Sequence, residues 1–234
     1  MPYYVFAIGG TGARCLESLL YLCAMGRGPE KLHPIIVDPD SGNGNLNRTK
    51  ELLINYKDIR DKIINPTPGS LFYTDVIYKE TDLGPDILDD MPNYYNPNEG
   101  LTEGKNTLSH FIGYNTELAE TDARYLAELF YGNDEMDMDM KQGYRGIPSI
   151  GSILMTNIQD ANIWKVITSR LIADPNSKVF IFASVFGGTG ASGYPVISKL
   201  IKNQAPKARV GGALLLPYFR LPDPQNLIEH REAL

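Results

Sequence analysis

Two cysteines, three histidines and a single tryptophan are a small stock of reactive side chains for 234 residues, and each shortage removes a class of chemistry. Cys15 and Cys23 fall on one expected helix. Two helical turns separate them by roughly 12 Å, too far for a disulfide. Both are expected to be small buried apolar residues in a reducing compartment. His33, His110 and His230 are widely spaced and lack metal-ligand spacing, so surface or core roles are expected. Lys and Arg form no cluster and the formal net charge is −6, which argues against a direct nucleic-acid surface. No apolar run approaches the ~20 residues of a membrane span. The opening "MPYYVFAIGG" has no basic region or cleavage site of a secretory signal. A cytoplasmic protein without a membrane partner is the expectation. The acidic stretch "NDEMDMDM" is expected to be a solvated loop, because alternating Met leaves few oxygens for a cation.

What is present is ordinary globular material, 43% hydrophobic and 21% charged, long enough to bury a full core. Tyr3 to Ile8 is a β-rich apolar run ending in "GGTGAR". "RCLESLLYLCAMG" then carries Leu16, Leu19, Leu20 and Cys23 at helical spacing, and "LHPIIVDPD" reads as a second buried strand. This β-α-β opening predicts a parallel sheet. The Gly- and Asn-rich "DSGNGNLNRT" reads as a turn, and "KELLINYKDIRDKI" as a helix with Leu52, Leu53, Tyr56, Ile59 and Ile63 on one stripe. Farther on, "SLFYTDVIYKE" suggests a strand and "TLSHFIGYNTELAETDARYLAELFYG" one or two helices. "ILMTNIQDANIWKVITSRLIAD" reads as a long helical stretch, "KVFIFASVF" as a strand, and "ARVGGALLLPYF" as another buried strand. The whole predicts one doubly wound, mainly parallel α/β domain over residues 1–234, with helices on both faces and an enlarged middle at about 47–142.

The most informative stretch is "VFIFASVFGGTGASGYPVISKLI", where a β-branched run enters Gly187, Gly188, Gly190 and Gly193 and leaves as an amphipathic helix. The first N–H groups of a helix have no internal partner, and its dipole adds partial positive charge there. Glycine lets a ligand approach that backbone closely, while Thr189 and Ser192 can add hydroxyl bonds. A tight strand-to-helix turn is the plainer alternative. The loop is not a Walker A motif, because the lysine is missing and Lys199 lies more than a turn inside the helix. "AIGGTGARC" is a second glycine loop, although Gly9, Gly10 and Gly12 do not give G-x-G-x-x-G. "GYRGIPSIG" is a third, with Gly143, Gly146, Pro148 and Gly151 before a helix.

Together these residues carry a family resemblance. "FGGTGASG" resembles the signature loop of the tubulin/FtsZ superfamily, GGGTGSG or GGGTGTG. "GYRGIPSIG" is similar to the FtsZ loop G-x-G-A-x-P-x-x-G that closes over the terminal phosphates, and "AIGGTGAR" sits where the family has its first phosphate loop. "YPVISKLIKNQAPKARVGGALLLPYF" follows the family order of helix, charged turn, strand and proline-containing loop. The likeness is to divergent bacterial tubulin-like proteins, and residues 47–142 have no counterpart in it.

The resemblance implies that Gly187, Gly188, Thr189, Gly190, Ala191 and Ser192 hold the α- and β-phosphates of GTP or GDP. It places Gly10, Thr11, Gly12 and Ala13 on the opposing wall, and Arg14 where the family has Asn or Gln, a departure that would let it pair with a phosphate. Arg145, Gly146 and Ile147 would lie beside the γ-phosphate, and Asp223 or Glu229 would meet the ribose. Mg²⁺ would arrive with the nucleotide. The family's central helix, second domain and activating acidic loop do not occur before Leu234, inside an expected helix, as in a fragment. The chain alone is therefore expected to hydrolyse GTP poorly or not at all, and no catalytic residue is assigned within it. Head-to-tail filaments of a longer protein are the implied partnership. Two other readings stay open. One is an NAD(P)- or FAD-binding oxidoreductase domain, favoured by Gly9 to Gly12 and by Asp38 after the second strand. The other is a domain that keeps the fold and only contacts partners.

Overall fold

The computed structural model describes residues 2–79, 93–98, 101, 106–117, 119, 121–140, 144 and 146–217. β1 (Pro2–Ile8) leads directly into α1 (Gly9–Ala24), and β2 (Lys31–Val37) follows beside β1. α2 (Gly44–Asp61) returns toward two short strands, β3 (Asp75–Val76) and β4 (Tyr94–Tyr95), which both pair with β2. The middle holds α3 (Leu108–Phe111), α4 (Asp122–Phe130), α5 (Asn133–Met136) and α6 (Pro148–Met155). A 3-10 helix (Thr156–Asp160) and α7 (Asn162–Ala173) come next, then β5 (Lys178–Ser184), α8 (Gly188–Gln204) and β6 (Arg209–Leu215). The sheet runs β3-β2-β1-β5-β6, with β4 also on β2, and every pairing in it is parallel.

Alternation along β1 explains the two layers. Val5 and Ala7 face Leu16, Leu20 and Cys23 of α1 and Leu46 and Leu53 of α2. Tyr4, Phe6 and Ile8 face the other way, onto Leu154 of α6, Trp164 and Ile167 of α7, and Ile197 and Ile201 of α8. Because β1 is buried on both faces, it is apolar almost throughout. The expected doubly wound α/β fold is the observed one. From β1 the chain moves outward to β2, whereas from β5 it moves outward to β6 on the opposite side. The crevice between the carboxyl ends of β1 and β5 is thus the topological switch point, where folds of this kind place ligands.

Several local expectations are corrected. "DSGNGNLNRT" is not all turn: α2 begins at Gly44 because the Asn43 side chain accepts a bond from the Asn45 N–H, 3.0 Å away. Ile59 is exposed, and the buried stripe of α2 runs through Leu46, Leu53 and Tyr56 instead. "NDEMDMDM" is not simply a solvated loop. Its first half forms α5, and Met136, Met138 and Met140 turn into the core, with Asp137 exposed and Asp139 half-buried between them. The long helical stretch is divided: α6 tightens directly into the 3-10 helix at Thr156, and extended Ala161 separates that from α7. β6 is the outermost strand among the described residues and is half-exposed rather than buried. Its Gly212 makes room for Tyr194 of α8, whose ring would lie 2.6 Å from a Cβ there. Cys23 is buried but Cys15 only partly so, and both are free thiols.

Candidate functional site

The turns into α1 and α8 meet at the switch point. Gly9 opens α1 with φ +71°, a conformation that favours glycine, and a Cβ on it would lie 3.4 Å from Thr189 Cβ. No side chain caps either helix start, and neither first turn carries an acid. The leading amides of both helices are therefore available to an anion, with both dipoles favouring it. Their glycines divide into two kinds. Gly12 and Gly190 are packing residues: an added Cβ would stand 2.7 Å from Phe182 O in the first case and 2.5 Å from Ser184 O in the second. Those are backbone atoms that cannot yield, so both helices start close against the sheet. Gly187 has open space around it instead.

A cleft of about 250 Å³ lies over these turns, lined by Gly9, Gly10 and Thr11 on one side and Gly187, Gly188, Thr189 and Gly190 on another. Its third wall is the turn after β2, Asp38, Pro39, Asp40 and Asn43, and Tyr144 and Ser184 complete it. Asp38 is only 3% exposed. Its carboxylate accepts from the Asp40 N–H at 3.0 Å and from Asn43 Nδ2 at 3.2 Å. Burial pushes its pKa up to about 6, against the lowering effect of the Asp40 amide bond. Tyr94 donates its hydroxyl to the Asp38 carbonyl at 2.7 Å, and Lys50 Nζ sits 3.7 Å from the centre of the Tyr94 ring. Burial lowers the Lys50 pKa, while the charge of Asp38 opposes that.

Arg14 is exposed and points to a neighbouring cavity of about 300 Å³, shared with Cys15, Ser18, Phe186, Leu215 and Pro217. Thr11 and Ser184 line both spaces, so the two adjoin. Together they fall in the size range of pockets for nucleotide-sized ligands, roughly 300–1,000 Å³.

Of the residues expected at the site, Gly10, Thr11, Gly187, Gly188, Thr189 and Gly190 line the cleft. Ser192 is placed differently: it is buried, and its hydroxyl donates to the carbonyls of Gly188 (2.7 Å) and Thr189 (3.1 Å). Gly12 and Ala13 are buried beneath the first turn of α1, and Ala191 is half-buried on α8 without lining the cleft. Gly146, at φ +77°, holds its amide nitrogen 3.2 Å from where a Gly188 Cβ would stand, so the third loop reaches the start of α8. Ile147 is the half-buried residue preceding α6. Arg145, Asp223, Glu229 and His230 lie outside the described residues. Sequence reasoning did not single out Asp40, Asn43, Tyr144 or Ser184. The signal for the first two was the polar turn directly after a strand's carboxyl end; for Tyr144 only its place in the third glycine loop pointed here.

Among the described residues no group of three or more His, Cys, Asp or Glu could hold a metal ion. Among them, no helix is long and apolar enough to cross a membrane. No protein-family model matches the chain, and no curated protein matches it. A solved β-ketoacyl-[ACP] reductase (FabG) from Bacteroides thetaiotaomicron is similar at a TM-score of 0.33 and 13% identity, over 100% of this chain and 90% of that one. The parallel sheet and its switch-point crevice define a doubly wound α/β fold.

Proposed function

We propose that the chain is the GTP-binding domain of a tubulin-like, filament-forming cytoskeletal protein, with the phosphates held by main-chain amides. One observation carries the reading. Two uncapped, glycine-rich helix starts converge on one cleft, and neither lysine nor arginine is among its described lining residues. Glycine is what lets these turns close on one another: Gly9 adopts φ +71°, a Cβ at Gly10 would meet Asn43 Nδ2 at 2.7 Å, and one at Gly188 would meet Tyr144 Cβ at 3.0 Å. Mg²⁺ would be carried by the phosphates and their water, because no protein cage for it occurs among the described residues. Hydrolysis would need a carboxylate brought by another subunit in a head-to-tail assembly.

The second reading, a Rossmann-type NAD(P) or FAD domain, is favoured by the strand order and by Asp38 directly after β2. Thermal unfolding with GTP, GDP, ATP and NAD in Mg²⁺ separates the two. A ligand at a hundred times its Kd stabilises the fold by about 2.7 kcal/mol. Guanine nucleotides raising the midpoint while NAD leaves it unchanged is the expected result; stabilisation by NAD alone would favour the dehydrogenase-type reading. Gly187, extended and surrounded by open space, is the position for a blocking side chain. Gly187→Leu is expected to abolish the GTP shift while costing less than about 1 kcal/mol of stability. A bulky residue at Gly190 would not serve, because it strikes the Ser184 backbone.

A further inference from the structure

A cradle of amides favours negative charge, yet the β2 side of the same cleft carries a buried carboxyl. The groups that face Asp38 are few. Its own turn supplies Asp40 and Asn43, and α2 supplies Lys50. Tyr94 comes from β4, and Tyr144 from the segment ahead of α6 is close enough for the Asp38 charge to act on its phenol. The starts of α1 and α8 add Gly9, Gly10, Thr11 and Thr189, none of which titrates. Lys50 is the one cation among the described residues whose charge acts on Asp38, and it stands over the Tyr94 ring.

Tyr144 is the second observation. It is 2% exposed, and its hydroxyl has no hydrogen-bond partner among the described residues. Its Cβ lies 3.0 Å from where a Gly188 Cβ would stand, while its phenol interacts with Asp38, Tyr94 and Tyr95. Tyr144 and Asp38 thus line the same cleft, with the Tyr144 ring packed against Gly151 of α6. A buried hydroxyl without a partner is destabilising and calls for an explanation.

We propose that Asp38 selects the charge of the ligand: an anion enters the cleft together with a proton that Asp38 takes up, and ionised Asp38 opposes its entry. This rests on the anion-cradle reading above and adds its regulation by pH. The proton comes from solvent and forms an O–H bond on the Asp38 carboxyl, converting an acceptor into a donor. Tyr144, whose hydroxyl has no partner among the described residues, lines the same cleft as that carboxyl. Burial has already brought Asp38 to about 6. A second negative charge beside it raises that value further. Affinity therefore rises as pH falls from 8 to 6, by at most about tenfold per unit for one proton.

The experiment is calorimetric titration of GTP in metal-free buffer between pH 6 and pH 8, repeated in buffers of different ionisation heat to count protons. Wild type, Asp38→Asn and Tyr144→Phe are compared, so that titration of the GTP phosphates cancels. From pH 8 to pH 6 the wild type is expected to gain about tenfold in affinity over Asp38→Asn, with up to about one more proton taken up per GTP. Tyr144→Phe should keep its unliganded melting temperature, since it removes an unpartnered group, yet show a smaller pH dependence than wild type. Equal pH slopes for wild type and Asp38→Asn overturn the proposal and leave the GTP reading intact. A wild type that binds no GTP at any pH overturns both. If Asp38→Asn fails to fold, Tyr144→Phe decides: an unchanged slope there overturns the proposal.

Discussion

The cleft has two unlike walls. The α8 wall is made of main-chain N–H groups on a helix start pressed against the Ser184 backbone, and it presents no titratable side chain. The β2 wall is made of side chains, Asp38, Asp40 and Asn43, held by hydrogen bonds that a proton or a rotamer change can rearrange. The first is rigid and its charge does not vary with pH; the second is adjustable. On the proposed reading, a ligand between them would be placed by one and screened by the other.

That contrast is open to direct test. The largest effect is expected where the rigid frame is struck. Gly12→Val would push a Cβ within 2.7 Å of Phe182 O and 2.8 Å of the Ala7 carbonyl carbon. A loss of about 3 kcal/mol in chemical denaturation is expected, as for severe overpacking; a loss under about 1 kcal/mol would mean that the helix start is not pinned. Next comes Asp38, in the protein without ligand. Its folded pKa is raised to about 6 from 3.8, so ionising it opposes folding. The wild type is most stable on this account below about pH 4 and loses stability as pH rises through 6. Asp38→Asn should remove that slope and be more stable at pH 8 by up to about 3 kcal/mol; denaturation curves at pH 5 and pH 8 measure it. The smallest effect belongs to Asn43→Ala, which removes the cap of α2 and one bond to Asp38. It should cost about 1 kcal/mol and leave Gly12 and Gly190 packing untouched, with helix content by circular dichroism as the readout.

The sheet and the two glycine turns were legible because their cause is local. An apolar strand, a glycine turn and a periodic helix repeat at Tyr4–Leu20 and Val179–Ile201, and the parallel order follows from the crossover rule. The middle was less legible because its causes are tertiary. Met136, Met138 and Met140 look solvated among aspartates until a core is present to receive them. The start of α2 was hidden because one side-chain bond from Asn43 outweighs a run of Gly and Asn that otherwise favours a turn. Of the candidate site, the two glycine turns that line the cleft could be foreseen from glycine spacing. The division between Gly12 and Gly190, which pack, and Gly187, which stands open, could not, since spacing does not say which backbone lies behind each residue.

Those three methionines carry a further consequence. They lie in the same core as Leu108 and Ala127 and fasten the region between the glycine turns to the main sheet through soft thioethers. Peroxide would convert such sulfurs to polar sulfoxides. Oxidative damage would thus loosen this fastening first, while the paired strands, which contain no sulfur, would outlast it.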